Sequence, residues 1–551
     1  LFRAPYNADF EPQKVDELLP VAIARTKNYL DVGESIDPLD WEPGVSADTI
    51  FNRVVRRKEE LDLDKKTSGG NIILLHDAGG ESRKATLEAL PRIIEYFQRK
   101  GYTFTTIADL LGKKKEELMP PVPKGSGYYL LQANYMFFTV TYWTGHLLFY
   151  LFTIFIILSV ARILFMMVLA MIERRREKRQ IPLIPASNSY PLVSIIVPAY
   201  NEEVNAVASL RNLLKTDYAN FEVIFVDDGS KDDTYALVAE VFAGHPKVRV
   251  LTKPNGGKAS ALNYGIAQTS ASFVVCIDAD TKLRSDAVSH LMKHFLADEK
   301  ASIGAVAGNV KVGNEVNLLT KWQSIEYISS QNFDRRAFAA LNAITVVPGA
   351  IGAFRKEAIE DAGGFTTDTL AEDCDLTIRI IRSGYVVTNE NAALAFTEAP
   401  EKTKQFLKQR FRWSFGVLQT FWKHKEILFN RQHKALGWVA MPNILLFQYV
   451  IPAFIPIADL FMLIGLLTGN ASRIVPYYLV FMLFDAAIAV IAFLMEKEKI
   501  QRLVWIIPQR IIYRWLMWYV LYKACRKAIK GELQNWGVLK RTGKVKELET
   551  A

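Results

Sequence analysis

Apolar positions change their spacing several times along the 551-residue chain, and each change predicts a different kind of element. Up to about residue 111, short apolar runs such as Asn71-Ile72-Ile73-Leu74-Leu75 mix with a helical pattern from Thr86 to Lys100, as in an α/β unit. Lys113-Lys114-Lys115, Pro120-Pro121 and Gly125-Ser126-Gly127 then gather charge, Pro and Gly into a linker and interfacial segment over 112–141. No Asp, Glu, Lys or Arg occurs from Tyr128 to Ala161, and the apolar run continues past Arg162 to Ile172. That exceeds the ~20 residues that span a bilayer, so 142–172 is predicted to be a transmembrane helix with Tyr142-Trp143 at its interface. The basic run Arg174-Arg175-Arg176-Glu177-Lys178-Arg179 marks its cytoplasmic side, which puts residues 1–127 outside and the next domain inside.

Over 190–400 the period changes to strand, helix, strand, helix: Val193 to Val197, Val223 to Val226, Val248 to Leu251 and Phe273 to Ile277 are apolar but for Ser194 and Arg249, with helical patterns between them. Such strands predict a mostly parallel sheet covered on both faces, with ligands at its carboxyl edge. Beyond an amphipathic, interfacial stretch at 401–434, the segment 435–530 holds three more apolar stretches: Met441 to Leu467 (broken by Pro452 and Pro456), Ile474 to Met495 and Leu503 to Tyr522. Three crossings would put the basic tail 531–551 outside, against positive-inside sorting. Either the Pro-broken stretch passes twice, or the last stretch, with Arg510 and Arg514, lies in the interface.

Composition adds limits. A mean hydropathy of +0.08 with 23% charged residues fits soluble domains joined to a membrane region. The net charge of +9 largely flanks apolar segments, so no nucleic-acid partner is expected. Cys276, Cys374 and Cys525 are too few and too scattered for a disulfide framework or a CxxC metal site. The chain opens Leu1-Phe2-Arg3, without an initiator Met, as a piece of something longer would.

Candidate chemistry clusters at strand ends. Asp278-Ala279-Asp280 closes an apolar strand, and alternate carboxylates can converge on one hard cation, Mg²⁺ or Mn²⁺, that keeps positions open for a nucleotide diphosphate. Asp227-Asp228-Gly229-Ser230 ends another, with Asp228 placed to accept from a base or ribose; an N-cap through Ser230 or Asp232 is the plainer use. Asn255-Gly256-Gly257-Lys258 offers helix-start N–H groups and a cation to phosphate. In Ala371-Glu372-Asp373-Cys374-Asp375 one carboxylate can act as general base, or the cluster can simply stabilise a helix N-terminus. Around Gln409-Arg410-Phe411-Arg412-Trp413, a helix puts Leu407, Phe411, Phe415, Leu418 and Trp422 on one stripe suited to a membrane surface. Gln409, Arg412 and Trp413 then share the opposite face, where Arg suits a diphosphate and Trp a sugar ring.

Together, VSIIVPAYN at 193–201, Asp227 to Ser230, Asp278 to Asp280, Glu372-Asp373 and the QxxRW motif at 409–413 resemble the processive family 2 glycosyltransferases, the synthases of chitin-like oligomers, hyaluronan and poly-N-acetylglucosamine. The likeness covers about 190 to 545 and implies a GT-A fold, inverting transfer from a UDP-sugar to a growing glycan, and passage of the polymer through membrane helices in the plasma membrane. Carried over by motif, Asp373 is the base, beside Glu372. Asp227, Asp228, Lys258, Asp278, Gln409, Arg412 and Trp413 serve the donor and acceptor, and Asp280 with Asp278 the metal. Ala371 stands where the family often has Thr.

The outer piece resembles the second half of a polysaccharide deacetylase, through Arg3-Ala4-Pro5-Tyr6, Asp40-Trp41 and Leu74-Leu75-His76-Asp77. Residues 1–127 hold His76 as their single His, so that family's Asp/His/His metal site cannot be built and deacetylation is not expected. The outer likeness points to UDP-N-acetylglucosamine as donor. Rival readings are transfer of one sugar to a lipid carrier, and a non-catalytic scaffold or transporter; the sequence leaves sugar, chain length and oligomeric state open.

Overall fold

The computed structural model describes residues 1–4, 14–63, 71–78, 82–121, 123–178, 190–467, 469, 471–531, 543 and 545. Pro5 and Tyr6, Arg179 and most of the tail 531–551 therefore lie outside the described residues. The chain divides into two compact units, Leu1–Gly145 and His146–Ala551.

In the first unit the helices Ala47–Leu63 and Lys84–Arg99 bury Ile50, Val54, Ala89, Ile93 and Phe97 against Ile36. Among the described residues the expected strand at Asn71–Leu75 amounts to one parallel bridge, Ile36 to Ile73, with a second between Phe2 and Asp31. The expected linker is also shorter than the sequence suggests. One helix, Ser126–Lys178, starts inside the Gly125-Ser126-Gly127 run and continues without a break, because nothing after Gly127 interrupts its backbone hydrogen bonding.

The second unit is built on one eight-stranded sheet: β1 Val193–Ala199, β2 Phe221–Asp227, β3 Val248–Thr252, β4 Phe273–Cys276, β5 Lys282–Leu283, β6 Ile303–Val312, β7 Gly352–Arg355 and β8 Val386–Thr397. The order is β3-β2-β1-β4-β7-β6-β8-β5. The first four strands are parallel, as expected, while β7 runs antiparallel to both β4 and β6, so the sheet is mixed rather than mostly parallel. Both faces are covered. Ile196 of β1 packs in one core while Ile195 and Val197 pack in the other, which is why the strand is apolar on both faces apart from the buried Ser194. Strand order reverses between β1 and β4, the place where such sheets open a crevice at their carboxyl ends.

Two helices among the described residues are long and apolar enough to cross a membrane, Ser126–Glu177 and Leu436–Ala453; Ile455–Leu467 and Met482–Met495 are apolar but shorter. The break near Phe454 follows Pro452, which cannot donate to the preceding turn. The helix Thr403–Lys423 carries the QxxRW residues. Its apolar stripe does not simply face outward: Phe415 is buried, Leu407 packs against the cluster of Trp322, Phe406 and Tyr513, and Phe411 lies under Lys523 and Lys527 of the helix Arg514–Ile529. Only Trp422 stays largely exposed, at 67%.

Candidate active site

A cavity of about 940 Å³ opens at the carboxyl edge of β1, β2 and β4 and runs continuously to the apolar helices. Asp228, Lys258, Asp278, Asp280, Glu372 and Asp373 line one part of it, and Gln409, Arg412 and Trp413 another. Every proposed donor, metal and base residue of the second unit except Asp227 thus meets in one space.

The Asp278-Ala279-Asp280 segment lies past the end of β4 in a turn, rather than on the strand, so bending of the chain and not strand alternation brings both carboxylates to the cavity wall. Asp228 is 2% exposed and already accepts from Lys253 Nζ at 2.7 Å, Gly256 N–H at 3.0 Å and Gly257 N–H at 2.7 Å. The glycine N–H groups expected at a phosphate therefore cradle a side chain of the protein, because successive N–H groups in such a turn attract the nearest carboxylate. Gly229 at φ +69° allows the approach; a Cβ there would stand 2.9 Å from Asn255 N. Asp227 accepts from Ser230 N–H at 3.3 Å and Thr252 Oγ1 at 3.0 Å, and caps this loop instead of joining the cavity wall.

Lys258 opens the helix Lys258–Ala267, but its ammonium is not held out to a phosphate. It bridges Asp278 Oδ1 at 2.6 Å and Glu372 Oε1 at 3.1 Å. Burial alone would lower its pKa; Asp278, Glu372 and Asp373 outweigh that and keep it raised, so the lysine is a fixed cation among carboxylates. Gly349 makes the room, since a Cβ there would collide with the ammonium. Gly349 N–H also donates to Asp373 Oδ2 at 3.3 Å.

Glu372 and Asp373 start the helix Glu372–Arg382. Burial, and then the adjacent Glu372 carboxylate, push the Asp373 carboxyl up to about 6 against the pull of Lys258. A base titrating there is ionised at neutral pH yet binds a proton far better than an exposed aspartate. One turn on, Asp375 is wholly buried and collects Thr366 Oγ1 at 2.8 Å, Arg379 Nε at 2.8 Å, Lys423 Nζ at 2.9 Å and His424 Nε2 at 2.9 Å. Arg382 lies 2.9 Å from His424 Nδ1, so the ring is contacted through both nitrogens. This ties the far end of the QxxRW helix to the base helix. Gly416 closes the middle, where a Cβ would stand 2.7 Å from Ala371 N.

Sequence reasoning missed Arg410, which is 2% exposed beneath Trp413, and the clamp at Asp375 and His424. The spacing of Arg410 from Trp413, i and i+3, was the available signal for the first. At the other end of the cavity the charges in apolar segments are paired inward. Arg162 donates to Asp334 at 2.5 Å and Asn443 at 2.6 Å, Arg510 pairs with Asp485, and Arg514 with Asp459 at 2.6 Å. In the first unit, His76 Nδ1 lies 2.7 Å from Asp40 Oδ1, and Thr86 Oγ1 donates to the same carboxylate at 2.8 Å, while Arg3 is paired with Glu34.

Residues 194–363 match the sequence model of the family described as Glycosyl transferase family 2. The chain is 33% identical over 258 residues to a poly-beta-1,6-N-acetyl-D-glucosamine synthase of Staphylococcus epidermidis, covering 45% of this chain and 62% of that protein. Against the protein of the same name in Staphylococcus aureus (strain COL), identity is 34% over 224 residues, 41% of this chain and 54% of the relative. The chain thus spans less than two thirds of the length of either relative. A solved structure, the mannosyltransferase PcManGT from Pyrobaculum calidifontis in complex with GDP-Man and Mn2+, aligns with a TM-score of 0.46 at 24% identity, covering 62% of this chain and 98% of that one. The stretch matched to that family model includes β2, β4, the DxD carboxylates and all of β1 but Val193.

Proposed function

We propose that this protein is a membrane-embedded, inverting, processive glycosyltransferase that polymerises UDP-N-acetylglucosamine into a β-linked glycan and passes it across the membrane. One observation carries the reading: the carboxylates at the sheet edge, the base candidate Asp373, the QxxRW residues and the inward-facing ion pairs of the apolar helices share one continuous cavity. A soluble single-transfer enzyme has no need of the last part. The names of the staphylococcal relatives supply the choice of sugar.

Asp373 takes the proton of the acceptor hydroxyl while that oxygen attacks the anomeric carbon; the bond to the diphosphate breaks on the opposite side and UDP leaves, which inverts the configuration. Arg412, as guanidinium, faces the diphosphate, and Lys258 holds Asp278 and Glu372 in place. Trp413 offers its ring to the acceptor sugar. Two carboxylate donors, Asp278 and Asp280, fit Mg²⁺ or Mn²⁺, which take phosphate oxygens in their remaining positions; they form no cage of three or more acidic or His/Cys ligands among the described residues. Such an ion, when bound, offsets negative charge on the leaving diphosphate.

Phe137, Leu147 and Ile157 of the long helix are each more than half exposed, as lipid-facing side chains would be. The first unit is proposed as a deacetylase-like remnant. The Asp40–His76 pair supports the likeness, and the single His of residues 1–127 argues against metal-dependent deacetylation.

The test is purified protein in lipid nanodiscs given UDP-N-acetylglucosamine, UDP-glucose or GDP-mannose with Mn²⁺, with UDP or GDP release and product size measured. Consumption of UDP-N-acetylglucosamine into a long product is expected. Exclusive use of UDP-glucose would overturn the sugar assignment, and a product one sugar longer than its acceptor would overturn processivity.

A further inference from the structure

Arg410 sits inside the QxxRW motif, and its guanidinium is already engaged by side chains of the protein. It is hydrogen-bonded from two other elements. Nη2 donates to Glu326 Oε2 at 2.6 Å, at the end of the helix Leu318–Glu326, and to the Tyr513 hydroxyl at 3.2 Å, at the end of the segment Gln509–Tyr513. The Tyr513 hydroxyl donates to the same Glu326 carboxylate, which closes the triangle. Over the guanidinium lies the Trp413 ring, 4.3 Å from it, and Phe406 and Tyr327 flank it at 5.2 and 5.8 Å. Tyr327 also packs against Trp413 with 6.3 Å between centroids.

A buried cation needs a partner, and Glu326 provides it. Charge neutralisation alone does not explain the stacking. A flat guanidinium under an indole fixes the plane of the ring, which a lysine ammonium, a point charge on a flexible stem, does not. A ring whose plane is fixed beforehand loses little freedom when a sugar settles on it. Trp413 and Arg410 both line the cavity, with the guanidinium almost wholly buried against the Trp413 ring.

We propose that Arg410 is a positioning residue that, with Glu326 and Tyr513, holds the Trp413 indole as a rigid platform for the acceptor sugar. The proposal rests on Trp413 being the acceptor contact. It also couples that platform to the apolar helices, because Tyr513 lies next to Arg514 and three residues after Arg510, and both arginines line the far end of the same cavity, Arg510 with its partner Asp485.

The experiment uses the full chain in nanodiscs with the variants Arg410→Lys, Tyr513→Phe, Trp413→Ala and the double variant Arg410→Lys/Trp413→Ala. Melting temperature, KM for UDP-N-acetylglucosamine, KM for a β-linked N-acetylglucosamine oligomer and product length are read for each. Arg410→Lys is expected to raise the acceptor KM about tenfold and shorten the product while the donor KM holds. Tyr513→Phe should do the same to a smaller degree. The double variant should be no worse than Trp413→Ala alone, since both act through one ring. Normal acceptor KM and product length in Arg410→Lys and Tyr513→Phe, with Trp413→Ala impaired, would overturn the proposal. No effect of Trp413→Ala would instead overturn the acceptor assignment beneath it. If Arg410→Lys does not fold, Tyr513→Phe, which removes one hydroxyl, decides.

Discussion

Lys258 is ion-paired with Asp278 at 2.6 Å, so a residue expected to meet phosphate is joined instead to a carboxylate expected to meet metal. The same ammonium reaches Glu372, and one cation thereby offsets part of the negative charge of the DxD segment and of the base helix together.

Replacing it should separate those two roles. Lys258→Gln leaves Asp278, Glu372 and Asp373 without their shared cation. Mn²⁺ affinity in the absence of nucleotide should rise, measured by calorimetry, and the acidic limb of the pH–rate profile should move to higher pH, because Lys258 is what holds the Asp373 pKa down. An unmoved limb would mean that Lys258 and the titrating group are not coupled.

The wild-type profile carries its own sign. The base works ionised, so kcat should fall as pH drops through about 6, well above the ordinary aspartate range near 3.8. The raised pKa also means that the folded state holds this proton more tightly than the unfolded chain does. Stability attributable to the group is therefore greatest at acid pH and declines as pH rises to about 6. Asp373→Asn should accordingly melt no lower than wild type at pH 7.5, and a clear loss of melting temperature would contradict the assignment.

Gly416 and Asp375 together set the spacing between the QxxRW helix and the base helix. Gly416→Ala puts a methyl against the Ala371 backbone and should cost ~1–3 kcal/mol with a disproportionate loss of turnover, as the two helices part. Asp375→Asn should cost more, ~3–5 kcal/mol, since Arg379 and Lys423 keep their charges in a buried site. Its carboxyl, buried but bonded to His424 and Lys423 and attracted by Arg379, is held far below the usual range, so its contribution is full above about pH 4 and fades as pH falls. Melting curves between pH 3 and 8 would show whether the wild type loses more stability than the variant over that acid range, since Glu390, also held low, remains in both.

Much of the site was legible because its chemistry sits where apolar strands stop. Asp228, Asp278 and Asp280 follow β2 and β4, and a run of Val, Ile and Phe ending in carboxylates is a strong local signal. The second half of the sheet was not legible. β6 mixes Gly304 and Gly308 into its strand and β8 carries Asn389-Glu390-Asn391, and both depend on distant partners, β6 pairing with β8 across some eighty residues. Lys258 was misplaced for the same reason: its partners Asp278 and Glu372 come from other elements, and only the folded sheet sets those distances. The charges in apolar stretches are paired, Arg162 with Asp334 and Arg510 with Asp485, but those partners come from distant parts of the chain and only the folded chain sets them.

Those inward charges give a separate expectation for export. Asp485→Leu leaves Arg510 without its carboxylate on the cavity wall, and should shorten or retain the polymer in proteoliposomes while UDP release at the carboxylate end of the cavity persists at first. Unchanged product length and lumenal delivery would show the pair to be structural.

The most direct measurement is on Asp373→Asn, with UDP binding and turnover compared in one preparation. The account expects UDP affinity within about twofold of wild type and kcat reduced ~10²–10⁴-fold, because the base acts on the acceptor hydroxyl and not on the nucleotide. Turnover near the wild-type rate would contradict it and move the search for the base to Glu372.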